Sequence, residues 1–122
     1  MRVFISGVRP DIDRTVNLQA DLDTLGYSYF RAEGVYKGER EASYEVLTTA
    51  DELVSLLNLA GKYNQECILV ADEDTGEASL VTPAGLTTPV GRLVSVSEEE
   101  AVGRDHTYIP AYGKYYVVVS RA

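Results

Sequence analysis

The sequence predicts an α+β fold of the ferredoxin-like type, a βαββαβ sandwich extended by a β-hairpin and a C-terminal strand, within one domain spanning residues 1-122. Three observations carry this expectation. Short runs rich in β-branched and aromatic residues read as strands, and two segments with apolar residues at helical spacing lie between them. Up to residue 71 these elements follow the order strand, helix, strand, strand, helix, strand, which is that of the split βαβ unit. A chain of 122 residues suits one such domain with one core, with no need of metal or disulfide support.

Residues 2–7 alternate and are rich in β-branched and aromatic types, a first strand that ends at Gly7. A loop with Arg9 and Pro10 follows. Asp11 or Asp13 then caps a helix whose Leu18, Leu22 and Leu25 recur at i, i+4 and i+7, with Gly26 as its stop. The aromatic stretch 27–31 is a second strand and 42–47 a third. Thr49 and Glu52 have the spacing of a capping box, which starts a second helix with Leu53, Leu56, Leu57 and Ala60 on one face. Residues 66–71 form a buried strand, and the acidic turn 72–76 leads into a hairpin partner at 77–81. From 83 to 113 prolines and glycines punctuate short segments, Glu98, Glu99 and Glu100 read as a solvated run, and 114–119 closes the chain as a strand.

Composition excludes several function classes. A net charge of -8 and a pI near 4.5 leave no basic cluster for phosphates, so no nucleic acid is expected as a partner. The single cysteine, Cys67, rules out an internal disulfide and sits in an apolar run, as a buried structural thiol does. The single histidine, His106, has no His or Cys neighbour at ligand spacing, so no metal site is expected. No apolar run reaches the length of a membrane span and the first residues do not form a signal peptide, which predicts a cytoplasmic protein without a membrane partner.

Chemistry concentrates between Gly34 and Tyr44, where two glycines, a tyrosine, two glutamates, a lysine and a serine lie between apolar runs. Gly34 and Gly38 permit close approach of a ligand to the backbone, and Tyr36 beside Glu41 suits an amine or another cationic centre. Lys37 and Ser43 are candidate substrate contacts, Arg40 a secondary one. The plain alternative is a charged hairpin loop. Tyr108, Tyr112, Tyr115 and Tyr116 suit a core edge or a subunit contact better than purine stacking.

Gly34-Val35-Tyr36 with Glu41, followed by a strand, a capped helix and the strand Gln65-Glu66-Cys67-Ile68-Leu69-Val70, resembles the phage S-adenosylmethionine lyases over residues 28–82. The resemblance implies a ferredoxin-like homotrimer with its site between subunits, no cofactor, and catalytic roles for Tyr36 and Glu41. Glu41 rather than Glu39 is equated with the family's glutamate, because Ala42-Ser43-Tyr44 runs directly into a strand. It further implies cleavage of S-adenosylmethionine to 5'-methylthioadenosine and L-homoserine lactone, which would counter host restriction that depends on that methyl donor. A different class remains open beside it, a non-enzymatic phage anti-defence module that binds a nucleotide or a host protein through its acidic surface.

Overall fold

In β1 (Arg2–Ile5) Val3 and Ile5 join one buried cluster while Phe4 joins another, because successive side chains on a strand point to opposite faces. A strand buried on both faces needs cover on each. The structure, a computed structural model that describes residues 1–9 and 11–120, provides helices on one side and the remainder of a closed barrel on the other.

After β1 a small ribbon of β2 (Val8–Arg9) and β3 (Ile12–Asp13) precedes α1 (Thr15–Thr24); Pro10, expected in a loop here, lies outside the described residues. The chain continues through β4 (Tyr29–Tyr36), β5 (Glu39–Leu47), a 3-10 turn (Ala50–Glu52), α2 (Leu53–Lys62), β6 (Ile68–Ala71) and β7 (Glu77–Val81). It ends with β8 (Thr87–Val96), α3 (Glu98–Ala101), β9 (His106–Ile109) and β10 (Lys114–Val119). Around the barrel the order is β1-β5-β4-β9-β10-β8-β7-β6, with β6 pairing back on β1 and every neighbouring pair antiparallel.

This closed eight-stranded antiparallel barrel replaces the expected ferredoxin-like βαββαβ sandwich with its added hairpin and C-terminal strand. The difference arises in the punctuated stretch after residue 82. Its segments form β8 and β9, which pair with the otherwise free edges of β7 and β4 and so remove the sheet's ends. Pro89 and Gly91 do not break β8, because a bulge accommodates them: Ala78 faces Gly91 and Ser79 faces Pro89, leaving Val90 extra. Gly91 has φ +128°, and a Cβ there would lie 2.1 Å from the Val119 carbonyl oxygen, so only glycine lets the rim bend this tightly.

Leu18 and Leu22 of α1 and Leu56, Leu57 and Ala60 of α2 bury the outer face formed by Val3, Ile5, Tyr44, Val46 and Ile68. Leu25 lies beyond the helix end and is exposed, while Gly26 at φ +78° terminates the helix as its position predicts. Neither capping candidate is the N-cap, which is Arg14 without a side-chain bond; Asp13, one residue earlier, accepts the Thr15 N–H at 2.9 Å. The Thr49–Glu52 capping box does not form, and Glu52 accepts from the Tyr27 hydroxyl at 3.1 Å instead. A complete box forms at α3, where Ser97 and Glu100 bond reciprocally, so the acidic run is a helix start.

Small residues line the barrel interior, with Ala32, Ala71 and Ala78 around Phe4, Leu93, Ile109 and Tyr116. One end is plugged by charge. Arg2 forms an ion pair with Glu45, donating from Nε at 2.8 Å and more closely from Nη2, and Tyr112 donates its hydroxyl to the other Glu45 oxygen. Glu45 is only 1% exposed. The Arg2 guanidinium also lies over the Tyr116 ring, 4.4 Å from its centroid. Burial works against the charge on Arg2, but the hydrogen bond and charge of Glu45 raise its pKa above the ordinary value. Tyr108 and Tyr115 stack outside the barrel at 4.5 Å, so this tyrosine group packs a core edge and an outer face.

Arg2→Met should destabilise the fold by about 3–5 kcal/mol, since Glu45 then keeps a buried charge without its counter-ion. A lowered urea midpoint at unchanged slope is expected, with most of the loss recovered in Arg2→Met/Glu45→Leu. An unchanged midpoint for the single variant would contradict the plug.

Candidate functional site

β4 and β5 keep one register from Tyr29 opposite Val46 to Tyr36 opposite Glu39, joined only by Lys37 and Gly38. Both turn residues have positive φ, 52° and 82°, which is the type I′ geometry that matches the twist of paired strands. The segment expected as a loop is therefore strand on both sides of a minimal turn. Gly38 supplies the positive φ of the turn, and a Cβ there would meet nothing within 4 Å, so close packing is not what calls for glycine. Lys37 donates its backbone N–H to Asp105 Oδ1 at 2.8 Å, which ties the turn to the segment before β9.

Register sorts the sequence candidates by face. Gly34 lies opposite Glu41 and Ser43 opposite Ala32, a residue of the inner cluster, so Gly34, Tyr36, Glu39, Glu41 and Ser43 share the face that looks into the barrel. Lys37 and Gly38 stand apart at the tip. A Cβ on Gly34 would lie 2.8 Å from Cε2 of Tyr36, so the tyrosine ring leans back over Gly34. That lean runs back along β4 to the rung where Gly34 faces Glu41, away from the rung that Tyr36 shares with Glu39. Tyr36, Glu39 and Glu41 line a cleft of about 130 Å³ together with Val8, Arg9 and Arg40. The cleft thus has acidic, basic and phenolic residues in its lining, a composition suited to a zwitterion.

A second cavity of about 260 Å³ lies at the barrel mouth on the other side of Tyr36, with Leu69, Leu80, Val90 and Val118 in its wall and Asp105 and Thr107 at its rim. Tyr36 is 45% exposed, yet burial at its hydroxyl end pushes the phenol above its ordinary pKa. A hydrogen bond with Thr107 opposes that shift, while the charges of Glu41 and then Asp105 add to it. Tyr36 is therefore a neutral phenol near pH 7, able to donate one hydrogen bond and accept another.

Asp105 and Thr107 join the site without a local signal in the sequence, since they line the cavity with Tyr36 from the start of β9, distant in the chain. Cys67, expected as a buried structural thiol, is only partly buried just before β6. Burial and Glu66 raise its pKa, which keeps it a thiol and not a nucleophilic thiolate. Among the described residues no group of three or more His, Cys, Asp and Glu is placed to hold a metal ion, and no helix is long and apolar enough to cross a membrane.

A family model described as the S-Adenosylmethionine lyase family matches residues 3–119, a span that takes in the site and all eight barrel strands. No curated protein matches the chain.

Gly34→Ala should expel the Tyr36 ring from its seat while leaving the barrel folded, because the half-exposed ring can swing outward. The Tyr36 phenol, followed by carbon-13 NMR titration, is expected to fall back towards about 10, the value of an unperturbed tyrosine. An unchanged titration would show that Gly34 does not seat the ring.

Proposed function

Because this chain belongs to the S-adenosylmethionine lyase family, its activity is that of a lyase acting on S-adenosylmethionine, and we propose that it releases 5'-methylthioadenosine and L-homoserine lactone. In this reaction the substrate's own carboxylate attacks its γ-carbon. A C–O bond forms as the C–S bond breaks, and the bonding pair leaves with sulfur, which passes from sulfonium to neutral thioether. The carboxylate charge disappears into the lactone ester. No proton moves and no cofactor is consumed, so the protein's task is to fold the substrate chain into the attacking conformer. Effective molarities of about 10⁵ M for well-placed intramolecular nucleophiles correspond to roughly 7 kcal/mol of the barrier.

The observation that carries this reading is the shared inward face of Tyr36 and Glu41, with the phenol leaning over Gly34 towards the carboxylate's side of the ladder. Glu41 holds the substrate's cationic portion and Tyr36 hydrogen-bonds its polar end. Gly34 leaves room for the ring, and Ser43, on the same face, lies next in the row. Lys37 and Gly38 shape the turn, so their contribution to substrate binding is through the backbone. The apolar wall of the mouth cavity suits the adenine ring.

The site spans two separate and open hollows, the cleft of about 130 Å³ and the mouth cavity of about 260 Å³. In the reading proposed here the protein is a homotrimer and a neighbouring subunit covers each site. Removal of the methyl donor is the biological effect, and in a phage-infected cell it would disarm restriction that depends on S-adenosylmethionine.

Incubation of the pure protein with S-adenosylmethionine should yield methylthioadenosine and homoserine lactone by chromatography. Glu41→Gln should lose about 100-fold in turnover and Tyr36→Phe about tenfold. Wild-type turnover in both variants would overturn their roles, and an inactive Glu39→Gln with an active Glu41→Gln would move the acid's role by one inward-facing position. Mass measurement in solution is expected to give three subunits. A monomer with full activity would refute the shared site.

A further inference from the structure

The mouth of the barrel holds a carboxylate, distant in the chain, that the reaction as proposed does not use. Asp105 precedes β9, lines the same cavity as Tyr36, and accepts the Lys37 backbone N–H at 2.8 Å across 68 residues of sequence. Lys37 is the residue after Tyr36 and the first residue of the turn. It is also one of two non-glycine residues with positive φ among those described, a conformation that side chains other than Asn and Asp seldom adopt. A two-residue turn projecting past the ladder can fray at its tip. The register of β4 with β9 covers only Glu33 to Val35, so backbone pairing on that side stops before Tyr36 and Lys37.

We propose that Asp105 is a positioning residue, whose carboxylate fixes the Lys37 amide and thereby holds the turn and the Tyr36 ring over the barrel mouth. The bond enters β4 where its pairing with β9 has ended, and so takes the place of the next rung. It fixes the backbone on the C-terminal side of Tyr36, while the seat at Gly34 fixes the ring itself. Thr107, two residues further on in β9, faces Gly34 in the ladder and lines the cavity with Tyr36, so one short segment flanks both the turn and the seat of the ring. Asp105 acts through position and not through charge. The inference rests on the lyase reading for its kinetic test but not for its structural one.

Asp105→Ala and Asp105→Asn separate the two modes, because asparagine keeps an oxygen that accepts the Lys37 amide while losing the charge. Hydrogen exchange at the Lys37 amide, read by NMR without substrate, should be slow in the wild type, fast in Asp105→Ala and intermediate or slow in Asp105→Asn. With S-adenosylmethionine, Asp105→Ala should lower kcat by about 10- to 100-fold with KM changed less than threefold, as expected when a reactive conformer is misplaced. Asp105→Asn should restore at least a third of wild-type kcat. Equal exchange at Lys37 in wild type and Asp105→Ala, or an Asp105→Asn enzyme as impaired as Asp105→Ala, would overturn the proposal. If the wild type itself forms no methylthioadenosine, the lyase reading fails, and the exchange result still decides whether Asp105 holds the turn.

Discussion

Pairing of β1 on both edges, with β5 on one side and β6 on the other, is the constraint from which the remaining structure follows. Once β6 returns to β1, no strand of the sheet keeps a free edge, and the face opposite the helices becomes an enclosed interior. An enclosed interior of eight strands has little space to spare. It is therefore filled by alanines and a few large side chains, and any polar group inside must find its partner there.

The two ends of the barrel solve that problem differently. At one end Glu45 is saturated by Arg2 and Tyr112, which turns a buried charge into a plug. At the other end the strand termini diverge, and the side chains there keep contact with cavities open to solvent. The turn between β4 and β5 and the approach to β9 both reach this mouth, which is why Tyr36 shares a cavity with Thr107 and Asp105. One inward-facing row on β5 thus holds both kinds of acid: Glu45 is buried and structural, and Glu41, four residues nearer the mouth, is partly exposed and available to a ligand.

Burial at the mouth acts on chemistry as well as on packing. Keeping the Tyr36 phenol neutral preserves a hydrogen-bond donor beside two carboxylates, in a place where an ionised phenol would add a third negative charge. For the displacement proposed, which moves no proton, fixed donors and fixed charges would be sufficient, and rigid support of one tyrosine would matter more than any tuned acid or base.

Short-range patterns determined the parts that short-range physics governs. Tyr36 and Glu41 were legible as candidates from their residue types and the family resemblance, whereas the two-residue turn and strand alternation that place them on one face appeared only in the structure, the segment having read as a loop. Also legible were β10, the hairpin at 72–76 and the buried stripe of α2, each set by a period or a turn within about ten residues. Closure of the barrel was not legible, because a strand carries no mark of which distant edge it will join. Pro89 and Gly91 read as breakers, and only their position at a bulge beside Val119 made them part of β8. Likewise Asp105 and Thr107 came to line the cavity beside Tyr36 through the pairing of β9 with β4, remote in the chain. The sequence by itself determined the family and the candidate pair Tyr36 and Glu41; the tertiary structure alone decided the barrel and which distant residues lie beside that pair, since edge pairing is a contact between whole strands and leaves no trace in local spacing.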